Sequence, residues 1–61
     1  MNGKPFAVTK QSLRNDFKTM RAYLQSAEAA LKANDLEAYE TAMTDIECLA
    51  SASRWAAVGG E

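Results

Sequence analysis

The feature that most restricts this chain is a run of apolar residues at heptad spacing. From residue 13 the apolar positions are Leu13, Phe17, Met20, Leu24, Ala27 and Leu31, with intervals of 4, 3, 4, 3 and 4. That rhythm puts one continuous stripe along a helix, and neither Gly nor Pro interrupts it. Thr9 or Ser12 can serve as its N-cap. A second stripe follows in Leu36, Tyr39, Met43, Ile46, Ala50 and Ser53, with intervals of 3, 4, 3, 4 and 3. It weakens toward its end, where small residues take over. Between the stripes lies "KANDLE". Asn34 can end the first helix, or cap the second with Glu37 as its capping-box partner. Asp35 and Glu37 suit the positive end of helix 2. Gly59 and Gly60 stop it. The expected fold is all-α: an antiparallel two-helix hairpin, with helix 1 over about 10–33 and helix 2 over about 35–57.

Sixty-one residues make a single helical-hairpin domain. Residues 1–8, with Gly3 and Pro5, read as an extended arm, and residues 58–61 as a flexible tail. A chain of this size buries only about 60% of the surface it exposes when unfolded. Small domains gain support from disulfides, metals or a partner subunit. One cysteine forms no internal disulfide, and with no histidine and no CxxC a zinc site of the usual kind is excluded. A partner subunit remains. The core positions expected for the hairpin or its dimer are Leu13, Phe17, Met20, Leu24, Ala27 and Leu31 on helix 1. On helix 2 they are Leu36, Tyr39, Met43, Ile46 and Ala50. Two such hairpins form a four-helix bundle, so a homodimer is expected.

A lone thiol fits a reducing cytoplasm. The opening residues lack the long apolar core of a secretory signal, and no apolar run approaches the ~20 residues of a membrane helix. A cytoplasmic protein without a membrane partner is expected. The formal net charge of −1 hides an asymmetry. Residues 1–33 carry a net +4 and residues 34–61 a net −5.

Catalytic chemistry finds few candidates. The chain has no histidine base, Gly-rich phosphate loop or nucleophile elbow. Cys48 has no histidine partner, and Cys is commonly a small buried hydrophobe. Glu37, Glu40 and Glu47 read as a solvated acidic face, not as metal ligands. The expectation is therefore no enzyme, no cofactor, no metal and no small-molecule substrate.

Two features point toward binding. Trp55 falls roughly 160° from the centre of the helix 2 stripe, near Cys48. Either helix 2 frays near Ser51–Ser53, so that Trp55 and Val58 close over Phe6 and Leu13, or Thr44, Cys48, Ala52 and Trp55 form a second stripe for another chain. Trp and Arg are enriched at interface hot spots, which makes Cys48, Arg54 and Trp55 the candidate partner-binding residues. The other feature is a ridge of Lys10, Arg14, Lys18 and Arg21 beside the helix 1 stripe. Such a ridge can track a phosphate backbone. The competing reading pairs these charges with Glu40 and Glu47 on a neighbouring helix, or uses them to steer the pairing of two hairpins.

In length and in its helix–short turn–helix pattern the chain resembles the Rop family of plasmid copy-number regulators. That resemblance implies an antiparallel dimer of hairpins that binds paired RNA loops, with the RNA face on Lys10, Arg14, Lys18 and Arg21. Phe17 departs from the family pattern, since its spacing makes it a stripe residue and not an exposed stacking residue. In size and composition the chain is also similar to small helical proteins from early regions of lambda-like phages. That likeness implies regulation of a larger host partner. The functional expectation is a small non-enzymatic regulatory protein docking onto a protein partner by a helix face. A nucleic-acid-binding regulator and a structural assembly piece are the alternatives.

Overall fold

A computed structural model describes residues 5–59. Helix α1 spans Lys10–Lys32 and helix α2 spans Leu36–Ala57. They pack against each other as an antiparallel hairpin with no strand among the described residues.

The helix ends follow from local chemistry. Thr9 has extended backbone and its hydroxyl accepts from the Ser12 N–H at 3.1 Å, so Thr9 is the N-cap of α1. Asn34 ends α1 in the left-handed region, with φ of 56°. Its N–H reaches the Leu31 carbonyl at 3.1 Å, and the Asp35 N–H reaches the Ala30 carbonyl at 2.9 Å. This pair of bonds is a Schellman closure, and it satisfies carbonyls the helix would otherwise leave open. Asp35 then caps α2, accepting from the Ala38 N–H at 3.1 Å. The capping box expected from Asn34 and Glu37 is therefore replaced. The third helical residue after Asp35 is Ala38, which has no side chain to reach back. Gly59, with φ of 101°, closes α2 with its N–H on the Ala56 carbonyl at 3.1 Å.

The helices meet through small side chains. Ala27 and Ala42 are only 5% and 4% exposed, and Ala30 and Ser53 are buried as well. The half-buried positions extend this contact to Leu13, Asp16, Met20 and Tyr23 on α1. On α2 they are Tyr39, Met43, Ile46, Leu49 and Ala57. So short a turn sets the two runs level: Ala30 with Tyr39, Ala27 with Ala42, Tyr23 with Ile46, Met20 with Leu49, and Asp16 with Ser53. Alanine and serine let backbones approach closely but remove little apolar area from water.

The expected stripes split along this contact. Leu13, Met20, Ala27, Tyr39, Ile46 and, in part, Met43 turn toward the other helix. Phe17, Leu24 and Leu31 are 48%, 53% and 67% exposed, and Leu36 is 70% exposed. Ala50 is also exposed, and Leu49 takes the inward place one residue earlier. Within one hairpin, then, Phe17, Leu24, Leu31, Leu36 and Ala50 are not core. Two helices of 23 and 22 residues lying side by side make a single elongated layer about 34 Å long.

Candidate docking faces

The first face is on the outside of α2. At 3.6 residues per turn, Trp55 and Cys48 lie about 150–170° from the centre of the contact with α1. Trp55 is 54% exposed, and it lines a shallow surface hollow with Glu47, Cys48, Ser51 and Ala52. Cys48 is free and exposed. Arg54 is exposed too, but on the flank shared with Leu36, not beside the hollow.

Contrary to one reading of the sequence, helix α2 does not fray near Ser51–Ser53. α2 runs unbroken through Ser51–Ser53 to Ala57, because Ser53 is seated in the helix contact and Val58 and Gly59 close the end. A continuous helix leaves Trp55 facing outward. The open end of the hairpin is held instead by the arm: the Ala7 N–H donates to the Ala57 carbonyl at 2.9 Å, and Pro5, Phe6, Ala57 and Val58 share a hollow. Met1–Lys4 of the expected arm, and Gly60 and Glu61 of the expected tail, lie outside the described residues.

The second face is on α1. Lys10, Arg14, Lys18 and Arg21 are all exposed, and they lie on the side of the Phe17–Leu24–Leu31 stripe remote from α2. Glu40 and Glu47 are exposed along the corresponding edge of α2. Apolar residues separate the two edges. None of the side-chain hydrogen bonds among the described residues involves a lysine or arginine. Among the described residues no hydrogen bond joins the basic ridge to Glu40 or Glu47. The back of α1 is polar, with Gln11 bonded to Asn15 and the Thr19 and Ser26 hydroxyls bonded to carbonyls four residues earlier.

Among the described residues no group of three or more His, Cys, Asp or Glu is placed to hold a metal ion. No described helix is long and apolar enough to cross a membrane. No family model matches the chain, and no curated protein or solved structure does either.

One part of the helix contact escaped sequence reasoning. Tyr23, Asp16 and Leu49 belong to the helix contact although they fall off the heptad stripes. The signal available was the run of small residues Ala27, Ala30 and Ala42, which marks a close approach of backbones.

Proposed function

We propose that the chain is a small non-enzymatic binding protein that works as a pair of hairpins and docks onto a protein partner through the Trp55 face. The observation that carries this reading is the exposure of Trp55 on a helix that is otherwise complete. A tryptophan held half in water on a rigid helix loses little conformational entropy when it binds, and it supplies a large apolar area to the partner. Cys48 and Ala52 extend the patch and Glu47 forms its rim, while Arg54, on the flank shared with Leu36, lies outside it. The hairpin pattern shared with small plasmid- and phage-encoded regulators agrees with this reading, as does a cytoplasmic setting for the free thiol.

Cys48 offers the test, since it is the sole thiol. A photo-crosslinker attached there should give a discrete protein adduct in extract, and Trp55→Ala should abolish that adduct. The same variant should keep its helicity and its melting temperature within a few degrees, because an exposed substitution changes stability by about 0.5 kcal/mol or less. An unchanged adduct from the Trp55→Ala chain would rule out the anchor role.

A second reading rests on the basic ridge, whose four side chains all face solvent. It makes the protein a nucleic-acid-binding regulator. Anisotropy with hairpin RNA and duplex DNA probes would then show binding that falls by orders of magnitude over a fourfold rise in salt. Replacing Lys18 and Arg21 with glutamine should flatten that salt dependence by roughly two contacts. Absence of binding to either probe at low salt eliminates this reading.

A further inference from the structure

The hairpin leaves a second apolar face, separate from Trp55. Phe17, Leu24 and Leu31 recur every seven residues along α1, and Leu36, Met43 and Ala50 every seven along α2. On each helix the set lies about 50–90° round from the centre of the intrachain contact, in the same rotational sense. Because the helices run in opposite directions, equal rotation brings both sets to one side of the hairpin. Leu31 and Leu36 line one hollow beside the turn, as this placement requires. The result is a continuous apolar strip flanked by the basic ridge on one edge and by Glu40 and Glu47 on the other, which is the core-and-rim pattern of a docking surface.

We infer that this strip is where a second copy of the chain packs, so that Trp55 stays on the outside of the pair. This inference rests on the pairing put forward above and fixes its face. Charge points to a second copy. A two-fold axis along the hairpin lays α1 of one copy over α2 of the other, so the basic edge of each strip meets the acidic edge of its twin. The strip is also self-complementary in form. Large side chains at heptad spacing on both helices are what a four-helix bundle interdigitates, and a two-fold axis lets one surface serve both partners. The Trp55 hollow lies on the opposite side of α2 from α1, too far round to join that core.

Sedimentation or light scattering over a dilution series tests the assignment. The wild-type chain should have twice the chain's mass at high concentration, Leu24→Glu should be monomeric, and Trp55→Ala should remain paired. Wild-type Trp55 emission should not shift as the pair dissociates. A chain that stays monomeric at every concentration overturns the pairing and this face together. A pair that survives Leu24→Glu overturns the face alone, and so does a pair that Trp55→Ala splits. If Leu24→Glu fails to fold, a Leu24→Trp, Trp55→Phe chain replaces it. Its emission should be blue in the pair and move red on dilution, and red emission that ignores dilution overturns the inference. Loss or survival of the Cys48 adduct in the Trp55→Ala chain is a separate readout, so failure of partner docking is distinguishable from failure of this face.

Discussion

Replacing Ala42 with leucine is expected to lower the melting temperature of the hairpin by roughly 10 °C, while the same replacement at Ala52 leaves it nearly unchanged. Ala42 is buried and sits level with Ala27, which is buried as well. These two methyl groups set the distance between α1 and α2 in the middle of the contact. A leucine there adds three carbons to a space that holds none, and overpacking of this kind costs about 1–3 kcal/mol. For a domain of this size each kcal/mol moves the midpoint by about 4–8 °C. Ala52 lies on the same helix but is exposed. Its replacement makes the same small change in helix propensity with no steric conflict. Far-UV circular dichroism melts of both variants make the comparison. Equal midpoints would mean that the helices do not approach through these alanines.

The second large effect is expected at the turn. Asn34 has φ of 56°, and both closing hydrogen bonds depend on that conformation. For L-residues the left-handed region costs roughly 1–2 kcal/mol, and Asn tolerates it better than most. A β-branched side chain is the worst choice there. Asn34→Val is expected to destabilise the hairpin by about 1–2 kcal/mol, whereas Asn34→Gly should match or slightly exceed the wild type. Urea titration followed by circular dichroism separates them. A valine variant as stable as the glycine variant would show that the turn tolerates another backbone path.

The helix boundaries were legible in the sequence to within a residue or so because capping is local. Thr9, Asp35 and Gly59 each act on backbone groups within three residues, and no distant contact is needed to place them. Asn34 illustrates the remaining ambiguity. It could end one helix or start the next, and the choice fell to the left-handed end once Asp35 was free to cap. The all-helical hairpin was equally plain, since heptad spacing on both sides of a short polar turn leaves few other arrangements.

The orientation of each stripe was another matter. Leu13 and Phe17 look alike in a heptad pattern, as do Met20 and Leu24, because both columns are apolar. Heptad spacing and local capping are enough to give two amphipathic helices and their ends. Which column faces the chain's own second helix depends on how the two helices pack. Ala27, Ala30, Ala42 and Ser53 let the backbones come close, and that close approach rotates Phe17, Leu24, Leu31 and Leu36 out to the open side. The same packing keeps α2 straight to Ala57 and leaves Trp55 facing water. Periodicity counts apolar positions, but the distance between two helices depends on side-chain volume at the contact, and that is settled only when both helices are in place.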